Sequence, residues 1–135
     1  MVLLVVVLLS VAALALLLGE VRKRRIAALE REGLARFEAF FSDRGLSPKL
    51  VRNVYHYLAE NAATGTQHFD VNPTDELAKR YGLVTDLDVQ DAVIVIADRS
   101  GLPLPKAHTL DEANPLVHTV DDLLRFLAPM AAKAA

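Results

Sequence analysis

Gly82 to Gly101, GLVTDLDVQDAVIVIADRSG, is the stretch on which the fold turns. Val89, Ala92, Val93 and Ile96 recur at three- and four-residue spacing, which lays an apolar stripe along a helix. Ile94 and Val95 widen that stripe, so the helix is expected to be buried on more than one face and central to its domain. Asp86, Asp88 and Asp91 stand at its start, where unpaired N–H groups and the helix dipole favour negative charge. Gly101 predicts its end, because glycine takes the left-handed conformation that closes a helix.

Working outward, 135 residues leave room for one small domain and an appendage. There are no cysteines, which excludes a disulfide framework and a thiolate metal site. The formal net charge of -2 is unevenly spread. Glu20 to Arg44 holds 7 Lys/Arg against 5 Asp/Glu, a net of +2, and Gly45 to Ala135 holds 8 against 12, a net of -4. An acidic distal domain argues against nucleic acid as its partner.

Val2 to Gly19 carries no charged residue and one polar side chain, Ser10. As a helix it would be roughly 27 Å long, enough to cross a bilayer. A cleaved signal peptide is the competing reading, but no basic residue precedes Val2, and Leu16, Leu17 and Leu18 make a poor cleavage site. Arg22, Lys23, Arg24 and Arg25 follow at once and are expected at the membrane interface. By the positive-inside rule they predict a single pass through the cytoplasmic membrane, with the N-terminus outside and all that follows inside.

Ile26 to Phe41 continues as an amphipathic connector, with Ile26, Leu29, Gly33, Phe37 and Phe40 close to one face. Phe37, Phe40 and Phe41 can pack against the distal domain, pair with a second copy, or lie on the membrane. Ser42 to Gly45 is expected to be a linker. Ser47 and Pro48 then offer an N-cap and a first helical residue. Leu50, Val51, Val54, Tyr55 and Leu58 carry the helical period, which should fade from Asn61 to Gly65, and Thr66 to Pro73 reads as a loop. Thr74 predicts a cap for a short helix through Tyr81, and Leu102-Pro-Leu-Pro105 a stiff extended connection. Thr109 and Glu112 have capping-box spacing, with Pro115 limiting that helix to one or two turns. Thr119 should cap the last helix and Pro129 stop it, leaving a frayed tail.

The expected class is therefore all-α. The boundaries are a transmembrane anchor at 1–20, a connector at 21–45, a helical bundle at 46–128 and a tail at 129–135. Leu50, Val54, Leu58, Leu77, Leu83, Val89, Val93, Ile96, Leu104, Leu116, Val120, Leu123 and Leu127 are the expected core.

This order of helices resembles the acyl carrier protein family over roughly residues 46 to 128. Leu83-Val-Thr-Asp86-Leu87-Asp88 is similar to the family's Asp-Ser-Leu-Asp segment at the start of its second helix, and His118-Thr-Val-Asp-Asp-Leu123 to the opening of its fourth. Carriers attach phosphopantetheine to the serine, but here Asp86 stands in its place, and a carboxylate has no hydroxyl with which to form the phosphodiester. The chain thus resembles the bacterial acyl-carrier-like branch with Asp at that position, and no cofactor is expected. The resemblance implies an acidic docking face for a basic protein partner, made by Asp86, Asp88, Asp91 and Asp98. The alternative is helix capping and dipole compensation by Asp86 and Asp88, with Asp91 and Asp98 merely solvated.

Three functions follow as expectations. The first is a membrane-anchored, non-enzymatic docking module. The second is a working carrier modified at another hydroxyl, such as Thr85 or Ser100. The third is a membrane-tethered oligomer built on Phe37, Phe40 and Phe41. His56, His68 and Asp70 lack the spacing of a metal site. His108 and His118 flank a short helix, and Ser42, Ser47 and Ser100 have no nucleophile setting.

Overall fold

In the computed structural model, residues 1–62 and 70–134 are described. His68 and the end of the predicted fade lie outside them, as do most of the predicted loop and the side chains of Glu112 and Leu116. Among the described residues the protein is all-α and forms two compact units, Met1–Glu32 and Gly33–Ala135. The helix α1, Val2–Phe41, supplies all of the first unit but Met1, and its residues from Gly33 onward belong to the second.

Residues 2 to 25 of α1 are exposed, and its most apolar 18-residue window has none of its surface buried. This is a helix long and apolar enough to cross a membrane, with the properties of a single span or a signal sequence.

In the second unit, the last turns of α1 lead through a 3-10 turn at Ser42–Arg44 to α2 (Pro48–Glu60), α3 (Leu77–Tyr81), α4 (Asp86–Arg99), α5 (Ala107–Leu116) and α6 (Val120–Ala134). The predicted central helix is α4, which packs against α2, α5 and α6. Val93 and Ile96 of α4 meet Val54 and Leu58 of α2 and Leu123 and Leu127 of α6 in one fully buried cluster. Full burial of a Leu or Ile side chain contributes about 1.5–3 kcal/mol, so this cluster is what holds the small unit together. Phe37 and Phe41 of α1 join it, with ring centroids 5.0 Å apart and the Phe37 ring tilted against Tyr55 at 5.5 Å. Gly101 ends α4 with φ +70°, and the Leu102 N–H reaches back to the Ala97 carbonyl. Both are the geometry that glycine permits at a helix end.

Several boundaries differ from the sequence expectations, each for a local reason. Thr74 caps nothing. The short helix starts at Leu77, whose N–H goes to the His118 carbonyl, while the Asp75 carboxylate accepts from the Asn72 N–H at 2.9 Å and the Tyr81 hydroxyl at 2.7 Å. Burial and that hydrogen bond push the Tyr81 phenol well above its ordinary pKa. Ser47 precedes α2 as expected, but its side chain makes no cap bond. The helix α5 begins at Ala107, because the Lys106 carbonyl takes the Leu110 N–H, and Thr109 therefore lies inside it instead of capping it. Pro115 falls in its last turn.

Pro129 does not stop α6, which runs on to Ala134. A proline there deprives the Arg125 carbonyl of its usual donor. Met130 and Ala131 pack partly buried against the core, and that contact offsets the loss. Leu104 is 69% exposed and does not belong to the core, because the Pro-flanked connection holds it away from the bundle. Ser42 to Gly45 is not a loose linker either: Arg44 Nη1 donates to Asp121 Oδ1 at 2.8 Å, and the guanidinium carbon lies 4.7 Å from the centre of the Phe40 ring.

Candidate functional site

The acidic start of α4 is built from its cap outward. Thr85 is extended, with φ -93° and ψ 160°, and its hydroxyl accepts the Asp88 N–H at 3.2 Å. In return the Asp88 carboxylate accepts the Thr85 N–H at 2.9 Å and the Val84 N–H at 3.1 Å. This is a capping box with Asp in the third helical position, and it satisfies donors that the helix leaves free. The Thr85 N–H, then its hydroxyl and the Val84 N–H, hold the Asp88 carboxyl below the usual carboxylate range against opposing desolvation.

The start of α6 repeats the motif. Thr119 Oγ1 accepts the Asp122 N–H at 3.2 Å, and the Asp122 carboxylate accepts from Thr119 at 3.0 Å and His118 at 3.1 Å. Burial raises the Asp122 pKa, but the His118 and Thr119 bonds and the His118 charge together outweigh it and lower the value. What differs is the next pair of N–H groups. In α6, Val120 donates to the Asp75 carbonyl at 3.1 Å and Asp121 to the Pro73 carbonyl at 2.9 Å, which closes that start inside the fold. In α4, among the described residues, no backbone carbonyl outside the helix meets the Asp86 or Leu87 N–H.

The surroundings of the two starts differ likewise. Val84 and Leu87 are 71% and 70% exposed, whereas Asp121, which stands in the second start where Leu87 stands in the first, is half-buried; Val89 and its counterpart Leu123 are both buried. Asp86, Asp91 and Asp98 are exposed, and among the described residues none of their carboxylates has an ion pair or hydrogen bond. The four predicted carboxylates are not equivalent. Asp91 and Asp98, seven residues apart, share one exposed side of α4, whereas Asp86 lies about 140° round the helix from Asp91. Burial, and then the Asp91 charge, push the Tyr57 phenol up, which places Asp91 beside α2.

Arg22, Lys23, Arg24 and Arg25 are exposed on the first unit, where Lys23 makes only a loose 3.9 Å contact with Glu20. Phe37 and Phe41 are consumed by the bundle core, and of the three phenylalanines only Phe40, 46% exposed, offers surface to another molecule. The Thr85 hydroxyl serves as the cap, and Ser100 Oγ accepts from Asn53 Nδ2 at 3.0 Å. Asp70 pairs with Arg36 at 3.3 Å, and His56 packs against Tyr55. Among the described residues no group of His, Cys, Asp and Glu could hold a metal ion.

The Thr-x-x-Asp spacing behind both caps was visible in the sequence at residues 85–88 and 119–122. Its unequal use was not, since that depends on carbonyls more than forty residues away from the second start. Compared with known proteins, the chain matches no family model, no curated protein and no solved structure.

Proposed function

We propose that the chain is a membrane-anchored, non-enzymatic docking module of acyl-carrier-like type, tethered through residues 2–19 and presenting the start of α4 to a basic protein partner. The observation that carries this reading is the contrast between two helix starts with one motif. The α6 start is closed by backbone carbonyls, while the α4 start stands open beside exposed Val84 and Leu87 and the unpaired Asp86 and Asp91, with Asp98 unpaired in the last turn of the same helix. Exposed apolar side chains with carboxylates beside them suit a partner with a basic rim, the charges setting orientation and on-rate more than affinity. Arg22 to Arg25 orient the tether with the bundle on the cytoplasmic side.

Because Asp88 is a cap, the test leaves it intact. Wild type and an Asp86→Lys, Asp91→Lys, Asp98→Lys variant are used to capture proteins from detergent-solubilised membranes of the host, and the recovered partner is then titrated against each in purified form. The variant should keep its helicity and bind at least about tenfold more weakly, with the wild-type affinity falling as salt is raised. Equal affinity for the two would overturn the assignment of α4 as the docking face.

A further inference from the structure

The first unit carries a charge pattern that crossing a membrane does not by itself require. Arg22, Lys23, Arg24 and Arg25 fill four consecutive positions of α1 just past the uncharged run of residues 2–19, and all four are exposed. Residues 20–25 set these four cations against the single carboxylate of Glu20, a net of +3. Glu20 reaches only Lys23, at 3.9 Å, and among the described residues no carboxylate pairs with Arg22, Arg24 or Arg25. Like charges gathered in one turn repel one another, so this turn is stabilised by anions from outside the chain.

Successive helical residues are about 100° apart, so the four side chains leave the helix around most of its circumference, as a ring and not a stripe. Their Cα atoms lie about 6 to 10 Å beyond Leu18 along the axis, at a rise of about 1.5 Å per residue. The headgroup layer on one side of a bilayer is roughly 5–8 Å thick. Helical Cα–Cβ bonds lean toward the N-terminus, which here is toward the apolar run, so the long side chains of Arg24 and Arg25 lean back into that layer. Three of the four cations are arginine. Orientation by the positive-inside rule counts lysine and arginine alike, whereas a guanidinium grips a phosphate with two parallel N–H bonds and an ammonium offers only a point charge. A zwitterionic headgroup brings its own cation beside the phosphate, which the ring repels; a headgroup of net negative charge does not.

We infer, resting on the membrane-anchored reading above, that the Arg22–Arg25 turn binds phospholipids of net negative headgroup charge through their phosphates and gathers them around α1. Because the cations form a ring, every side of the helix offers such a lipid a partner.

The chain contains no tryptophan, so Leu17→Trp, at a position 63% exposed, places a single fluorescent reporter in the acyl layer just before the ring. The full chain is reconstituted in vesicles of phosphatidylcholine and phosphatidylglycerol in which one lipid or the other carries brominated, quenching acyl chains. Quenching should show phosphatidylglycerol beside the reporter at about threefold or more its share of the bilayer. The preference should shrink as salt is raised. It should vanish in an Arg22→Gln, Lys23→Gln, Arg24→Gln, Arg25→Gln variant, whose quenching by brominated phosphatidylcholine reports that the helix is still inserted. Equal quenching by the two lipids around the wild-type ring would overturn the inference and leave the tether standing, whereas no quenching by either would overturn both. A preference that survives the four substitutions would move its source elsewhere in the chain and overturn the assignment to this turn. Loss of the preference on adding inorganic phosphate at matched ionic strength would assign the ring to free phosphate instead of lipid.

Discussion

Asp88 and Asp122 close the first turns of α4 and α6 in the same way, each accepting two backbone N–H groups. Both carboxylates have pKa values below the ordinary range, so the sign of their effect on stability is set. A carboxylate whose pKa is lower in the folded state contributes stability that is complete above the unfolded value of about 3.9. The contribution is lost as the pH falls through the lower folded value. Asp122→Asn should therefore flatten the acid limb of the stability profile. In urea titrations the wild type should lose more stability between pH 5 and pH 3 than the variant, and parallel losses would show that the cap does not couple to protons. The same logic explains why Asp88 is a poor choice for charge reversal. A lysine there would remove two accepted hydrogen bonds along with the charge, and lost binding could then reflect an unravelled helix start.

Among the elements, α2 and α4 were legible because their buried faces follow the helical period over more than two turns, and the start of α2 and both ends of α4 carry a chemical signal. Pro48 opens α2, Thr85 opens α4 and Gly101 closes it. The boundaries that were not legible are the ones decided by distant partners. Leu77 begins α3 because its N–H finds the His118 carbonyl, and among the described residues Thr74 has no such partner. Phe37 and Phe41 were readable as an apolar face, but only the fold selects the bundle core over a second copy or a lipid surface. At the candidate site, the solvated state of Asp91 and Asp98 was legible as one of two readings, and the separation of Asp88 as the cap from Asp86 as an exposed charge was not. For α6, proline was the strongest local stop signal, yet partly buried Met130 and Ala131 hold the helix beyond it. That makes Pro129 a site of stored cost. Proline in a helix interior is about 3 kcal/mol worse than alanine, and Pro129 is exposed, so its removal sacrifices little packing. Pro129→Ala should raise stability by about 1 to 3 kcal/mol, read from the midpoint of urea unfolding at constant slope. A lower midpoint would mean that the proline bend itself seats the last turns of α6 on the core.

At the scale of the whole molecule, the chain couples an exposed apolar helix to a bundle that borrows the far end of that helix for its own core. Composition suggests a boundary near residue 45, where the basic connector gives way to the acidic domain. Packing instead divides the chain after Glu32, because Phe37 and Phe41 are 2% and 1% exposed within the second unit. Truncating one buried Phe to Ala costs about 3–5 kcal/mol, and two approach the entire stability of an ordinary domain, about 5–15 kcal/mol. A fragment of residues 33–135 should therefore fold cooperatively without residues 1–32, whereas one of residues 46–135 should lack a melting transition, having lost both rings and the Arg44 contact to Asp121. Circular dichroism melts of the two fragments decide this, with 1-anilinonaphthalene-8-sulfonate fluorescence reporting exposed core in the shorter one. If 46–135 melts as sharply and as high as 33–135, the aromatic pair is an accessory to the bundle, and the end of α1 is then available for other partners.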